Sequence, residues 1–245
     1  MRNLLVELRY KGTAYHGFQV QKNGVSVMER VQDAIEQVLR VREPIAGCSR
    51  TDSGVHANQF FFHMKTGNPV PADKFLFAVN NALPPDIAAL SCREVPLDFH
   101  ARYSCVGKEY VYQIYDGPVK EPFWADSAWY HRLPLDAPRM EREAQALLGT
   151  HAFTSFCALG GKAMSHVRTI DALTVRREGR MVRMTVHADG FLYNMVRIIA
   201  GTLVDLNDGL LPAGALPDVL AAEKRERAGR TAPPHGLFLN RVDYD

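Results

Sequence analysis

Ser26-Val27-Met28-Glu29-Arg30-Val31-Gln32-Asp33-Ala34-Ile35-Glu36-Gln37-Val38-Leu39-Arg40 reads as one amphipathic helix, and the segments on either side of it decide the fold. Ser26 precedes Glu29 at the spacing of a capping box, in which each side chain satisfies the other's backbone N–H. Val27, Val31, Ile35 and Val38 then recur at helical spacing as far as Arg40. Ahead of the helix, residues 4–10 form an apolar run that predicts a buried strand. Behind it, Pro44 closes the region, and short runs at Ile45 and at residues 59–64 predict two strands around a turn. Asp73 is expected to open a second helix with Phe75, Leu76 and Val79 inward, and Ile87–Val95 returns as a strand. Strand-helix-strand-strand-helix-strand is the order of a ferredoxin-like or RNA-recognition-like half.

The second half repeats the theme with longer insertions. Residues 110–115 predict a strand with aromatics on both faces, Tyr110 and Tyr112 sharing one face with Ile114. Asp136 caps a helix that runs through Leu147 and Leu148 and stops at Gly149. Residues 170–176 and 181–188 form a hairpin across Glu178-Gly179, residues 191–206 a helix, and residues 237–244 a closing strand. The expected architecture is therefore α+β. Two β-α-β-β-α-β halves, residues 1–104 and 105–245, carry mainly antiparallel sheets that meet at a central cleft. No repeat is visible in the sequence itself; only the architecture is duplicated.

A hydrophobic content of 47% with 23% charged residues is ordinary for a globular chain of 245 residues. A net charge of +2 does not announce a nucleic-acid binder. Local basic clusters are more suggestive: Lys224-Arg225-Glu226-Arg227 with Arg230, and Arg176-Arg177 with Arg180 and Arg183. Either cluster is a solvated face or a patch that attracts a phosphate backbone. Cys48, Cys92, Cys105 and Cys157 form no C-x-x-C pair, which argues against a zinc ribbon and fits reduced thiols. Charges interrupt the first apolar run, and no apolar stretch reaches membrane-spanning length, so the expected location is the cytoplasm.

The chemistry is concentrated in Gly47-Cys48-Ser49-Arg50-Thr51-Asp52-Ser53-Gly54-Val55-His56-Ala57. This stretch places one carboxylate, Asp52, in a turn of small and polar residues between apolar strands. Such a turn holds a side chain rigidly while letting it reach into a cleft. Arg50 supplies a nearby cation, and Ser53-Gly54 supplies turn chemistry. Arg197 is the second unusual residue, because Leu192, Met195, Val196, Ile198, Ile199 and Leu203 surround it on a helix apolar on nearly every face. A guanidinium there needs a carboxylate or phosphate partner. Asp189 or Asp205 would make a structural ion pair; Asp52 would make a catalytic one and stay ionised beside the cation. Either Tyr110 or Tyr112 has a face on which a base could stack. His56 is read as a turn-stabilising group, and Cys48 as a small core residue.

Read with its flanks, the Asp52 turn resembles the signature of the TruA family of tRNA pseudouridine synthases. The likeness continues along the chain. Leu83-Pro84-Pro85-Asp86-Ile87 is similar to the family's Leu-Pro-x-Asp-Ile segment, and Phe99-His100-Ala101-Arg102 to its aromatic-x-Ala-Arg element. Lys108-Glu109-Tyr110-Val111-Tyr112 resembles its Lys-x-Tyr-x-Tyr strand. Residues 190–197, Gly190 to Arg197, resemble the helix carrying a second arginine, and Ala232-Pro233-Pro234-His235-Gly236-Leu237 the C-terminal element. The blocks stand in the family's order and cover nearly the whole chain.

The resemblance implies an isomerase that converts uridine to pseudouridine in the anticodon stem-loop of tRNA, working as a homodimer. It implies Asp52 as the essential acid and Tyr110 as the active-site tyrosine that stacks on the target uracil. Arg50 fills the space that the flipped uridine leaves, and Arg197 supports. Arg102 and Arg168 join Tyr110 and Arg50 as substrate-binding residues. The isomerisation needs no external nucleophile or electron transfer, so no cofactor, no metal and no membrane is expected. Whether the carboxylate attacks the sugar or the uracil ring, or mainly stabilises charge, stays open at this stage. The competing readings are a non-catalytic RNA-binding module, a metal-assisted hydrolase using Asp52 and Asp86, and a related synthase with another RNA target. Gly160-Gly161-Lys162 lacks the spacing of a phosphate loop.

Overall fold

The helix at Val27–Leu39 begins where its capping box requires. Ser26 Oγ accepts the Glu29 N–H at 3.2 Å, and the Glu29 carboxylate accepts the Ser26 N–H at 3.5 Å. The computed structural model describes residues 1–161 and 163–245; Lys162, the last residue of the Gly160-Gly161-Lys162 stretch noted above, lies outside the described residues. In chain order the elements are β1 (Arg2–Tyr10), α1 (Val27–Leu39), β2 (Ile45–Gly47), β3 (His56–Thr66), α2 (Ala72–Ala82), β4 (Ile87–Val95) and β5 (Cys105–Asp116). There follow β6 (Trp129–His131), α3 (Ala137–Ala144), β7 (Gly149–Ala152), β8 (Val167–Glu178), β9 (Met181–Ala188), α4 (Met195–Asn207), α5 (Leu216–Ala222) and β10 (Leu237–Tyr244). The chain is a mixed α/β protein with mostly antiparallel strand pairing. Its contacts divide it into one unit of residues 1–106 with 238–245, and a second of residues 107–237.

In the first unit β1 lies between β4 and β3, antiparallel to both. The other edge of β3 takes β2 antiparallel near Phe62 and Met64, and β10 in parallel at His56 and Ala57. The register sets Leu4 opposite Met64, Val6 opposite Phe62 and Leu8 opposite Phe60, all fully buried. Alternation by two puts these residues on one face. The helices add Val27, Val31, Ile35 and Leu39 from α1 and Phe75 and Val79 from α2 to the buried set, α1 packing on α2 and α2 on β4. Each such side chain contributes about 1.5–3 kcal/mol when removed from water. Two local readings change. Pro71, not Asp73, stands at the cap of α2, with Asp73 in the first turn, where its charge suits the helix dipole. Leu76 is half-buried, because it flanks the Phe75–Val79 stripe instead of heading it.

In the second unit the strands run β5-β9-β8-β7, all antiparallel, with β6 parallel on β5. Tyr110, Tyr112 and Ile114 point to one buried face and stand opposite Val186, Met184 and Val182. The β8–β9 hairpin turns at Gly179, whose φ of 59° is left-handed. Asp136 caps α3 by accepting the Arg139 N–H at 2.9 Å. The α-helix stops at Ala144 and its last turn tightens to a 3-10 turn over Gln145–Leu147, so it is shorter than the sequence suggests. The long apolar helix also starts late, at Met195 and not at Phe191. Asn194 adopts φ 59° and ψ 11°, a left-handed conformation that holds residues 191–194 out of the helix.

Candidate active site

Two backbone bonds and three bonds involving side chains stitch the Asp52 turn to the end of β1 and the segment that follows it, and a third backbone bond closes the turn itself. The Gly54 N–H donates to the Tyr15 carbonyl at 3.1 Å, the Phe18 N–H to the Thr51 carbonyl at 3.3 Å, and the Val55 N–H to the Asp52 carbonyl at 3.2 Å. Ser53 Oγ adds a bond to the Tyr15 carbonyl at 3.3 Å. Tyr10 Oη and Thr51 Oγ1 lie 2.8 Å apart. The Gly12 N–H donates to His56 Nδ1 at 3.0 Å, so His56 is a buried acceptor that pins the turn and stacks on Phe238. Two glycines make this close approach possible. A Cβ on Gly12 would sit 1.9 Å from the Val55 carbonyl oxygen. One on Gly17, at φ +80°, would sit 2.4 Å from the Thr51 carbonyl oxygen. The result is a rigid loop carrying Asp52 half-buried and Arg50 exposed. Among the described residues, the Arg50 guanidinium has no hydrogen-bond or ion-pair partner.

The neighbouring thiol and carboxylate have structural occupations. Cys48 is fully buried, and its Sγ accepts the Phe61 N–H at 3.3 Å. Asp86, the second carboxylate of the hydrolase reading, accepts the Tyr15 hydroxyl at 2.6 Å. Burial and that carboxylate together push the Tyr15 phenol well above its usual range. Arg102 is exposed in the same unit, with its guanidinium 5.9 Å from the centre of the Tyr103 ring.

In the second unit, residues 190–197 bring three of the expected residues together. Tyr110 is buried and meets Phe191 edge to face at 5.0 Å. Arg168 donates to the Ser165 carbonyl at 3.0 Å, and its Nε would lie 3.4 Å from a Cβ built on Gly190. Arg197 is half-buried on the first turn of α4. Its Nη1 donates to Asn194 Oδ1 at 2.8 Å, and its Nε to the Ala232 carbonyl at 2.8 Å. Asp205, one of the expected structural partners of Arg197, accepts instead from the backbone N–H and Nε of Arg230. Asp189 Oδ1 accepts the Thr169 N–H at 3.1 Å.

Tyr112 is fully buried and donates its hydroxyl to the Pro233 carbonyl at 2.7 Å. Burial pushes its phenol far up, with Arg197 pulling weakly the other way. It belongs to the scaffold, and Tyr110 is left as the tyrosine beside the 190–197 segment. Gly236 completes the scaffold, since a Cβ there would come within 2.8 Å of both the Gln113 carbonyl and the Tyr112 ring. Sequence reasoning missed Asn194, Ala232 and Pro233 as the holders of Arg197 and Tyr112. The only available signal was the Pro233-Pro234 pair, whose rigid backbone offers carbonyls and no N–H groups. Among the described residues, no group of three His, Cys, Asp or Glu side chains could hold a metal ion. Nor is any helix among them long and apolar enough to cross a membrane.

Comparison with known proteins fits these features. A family model described as tRNA pseudouridine synthase matches residues 144–245. The tRNA pseudouridine synthase A of Ruminiclostridium cellulolyticum is 42% identical over 245 residues, covering 100% of both chains. That of Acetivibrio thermocellus is 41% identical over 244 residues, again covering 100% of both. That of Halalkalibacterium halodurans is 39% identical, covering 98% of this chain and 92% of its own. With end-to-end identity at this level, a turn built to hold Asp52 and a segment built to hold Arg197, the chain belongs to the tRNA pseudouridine synthase family of isomerases.

Proposed function

We propose that this protein converts uridine to pseudouridine in the anticodon stem-loop of tRNA, with Asp52 as the catalytic carboxylate. The observation that carries this reading is the Asp52 turn itself. Backbone bonds from Phe18, Gly54 and Val55 fix the loop and hold Asp52 half-buried at its tip. A rigid loop that presents a half-buried acid fits a reaction whose charge must develop at one place. Isomerisation breaks the N-glycosidic bond, turns the uracil within the pocket and joins its C5 to the ribose C1′. The hydrogen on C5 leaves as a proton, and the proton gained at N1 restores the balance.

Arg50, exposed on the same loop, fits the space vacated when the uridine leaves the stack. Tyr110 takes the uracil face, Arg197 acts as the supporting cation, and Arg102 and Arg168 hold flanking phosphates. The same reading gives a cytoplasmic homodimer without cofactor or metal. It also takes each unit as a ferredoxin-like half on a catalytic cleft. The strand neighbours β4-β1-β3-β2 in the first unit support that description.

Unmodified tRNA tritiated at uridine C5 tests the reading. Tritium release by the wild type and none by Asp52→Asn, followed by mapping to the anticodon stem-loop, is the expected result. No release from any tRNA, with tight binding by both proteins, would leave an RNA-binding module instead.

A further inference from the structure

The second unit contains a cavity of about 510 Å³ at the end of β5 and the turn between β8 and β9, in which three arginines converge: Arg132, Arg177 and Arg180. Only one of them is neutralised in place. Arg177 forks onto both oxygens of Asp116, at 2.9 Å and 2.5 Å, and the Leu135 N–H donates to the same carboxylate at 2.8 Å. Arg132 and Arg180 are exposed, and among the described residues neither guanidinium has a hydrogen-bond or ion-pair partner. Arg180 is nevertheless positioned. A Cβ on Gly117 would lie 3.1 Å from its Nη1, so the guanidinium rests against bare backbone. Asp116 and Asp136 are the acids whose charges reach Arg177, and Asp116 also faces the charge of Arg180, so two carboxylates are set against three guanidinium groups. The rest of the wall is apolar, with Pro118, Pro134 and Leu135. Three guanidinium groups gathered around one lining carboxylate repel one another. Guanidinium groups match phosphate geometry, and flat apolar walls suit a sugar or base.

We infer that this cavity is a second RNA subsite, in which Arg132 and Arg180 hold one phosphodiester of the tRNA away from the reacting uridine while Pro118 and Pro134 receive its nucleoside. Arg177 is a positioning residue that shapes the wall through Asp116 and is not itself required to touch the RNA. The inference rests on tRNA being the substrate and does not depend on the role of Asp52.

Equilibrium binding of unmodified tRNA is measured as a function of salt for the wild type, for Arg132→Ala with Arg180→Ala, and for Arg142→Ala, an exposed arginine outside the cavity. The double variant should bind about tenfold more weakly at low salt, with a salt slope shallower by about one to two. Its melting temperature and its tritium release at saturating tRNA should match the wild type, which separates this site from a failure at Asp52. Arg142→Ala should leave affinity and slope unchanged. Wild-type affinity and slope in the double variant would overturn the subsite, and so would an equal loss in Arg142→Ala. Titration with inorganic phosphate and uridine monophosphate distinguishes the source of the anion. If these bind and the double variant loses them while tRNA affinity is unchanged, the cavity serves a free small anion and the RNA assignment falls.

Discussion

Arg197 and Ala232 bond each other twice: the Ala232 N–H donates to the Arg197 carbonyl at 3.0 Å, and Arg197 Nε donates back to the Ala232 carbonyl at 2.8 Å. The residue following Ala232, Pro233, accepts the Tyr112 hydroxyl. One short segment therefore links the start of α4 to β5, and Arg197 is as much a structural residue as a cation. Arg197→Lys keeps the charge and loses the fork that spans Ala232 and Asn194. The expected cost is about 1–2 kcal/mol in urea unfolding together with a loss of turnover. Unchanged stability would show that the clamp contributes nothing.

Tyr110 and Tyr112 share a strand face yet should fail differently. Tyr112→Phe leaves the Pro233 carbonyl without its donor and should lower stability by roughly 1–2 kcal/mol with turnover largely retained in the folded fraction. Tyr110→Phe keeps the edge-to-face packing on Phe191, so it should melt near the wild type and lower the rate of tritium release. Equal losses of stability in both would remove the distinction.

Gly17 has no freedom to change. A side chain there meets the Thr51 carbonyl, which is backbone and cannot swing aside, at a φ of +80°. Gly17→Ala should cost roughly 1–3 kcal/mol of strain and displace the Asp52 turn, with kcat falling about 10²-fold. Binding of tRNA should survive, because the loop's exposed face remains. A variant with wild-type kcat would show that the position of this turn does not govern turnover.

Acid should weaken the second unit through Asp116. Burial alone would push its carboxyl up, but the Arg177 guanidinium and the Leu135 N–H outweigh that and hold it below its ordinary value. A depressed native value means that the group adds stability above its unfolded pKa and loses that contribution as pH falls through the native one. The loss should therefore appear below about pH 4. Asp116→Asn should be less stable than the wild type at neutral pH, and the difference should shrink on acidification. A gap that stays constant with pH would exclude this linkage.

The parts of the fold written in local chemistry were legible. The Ser26–Glu29 box, the Asp136 cap and the Glu178-Gly179 turn each occupy a few adjacent residues, and the structure uses all three. Asn194 was illegible because the apolar pattern continues through Phe191 and Leu192. A single left-handed residue sets the start of the helix without altering the periodicity. β6 and β7 were too short to carry a period. Arg132 and Arg180 come from separate segments, so no motif could join them. At the candidate site, Asp52 and Arg50 were readable from one loop. The clamp on Arg197 was not, because its acceptors are main-chain carbonyls that any residue could provide.

The pairing of β10 with β3 also bears on how the protein is made. His56 and Ala57 wait for Phe238 and Leu239, which a ribosome adds only after the whole of the second unit. At about 5–20 residues per second, that interval is on the order of ten seconds or more. During it the edge beside the Asp52 turn is open and His56 lacks the ring it stacks on. A chain interrupted before those residues keeps every side chain proposed for catalysis and the bonds from residues 10–18 to the Asp52 loop, but lacks the strand and ring that cover His56.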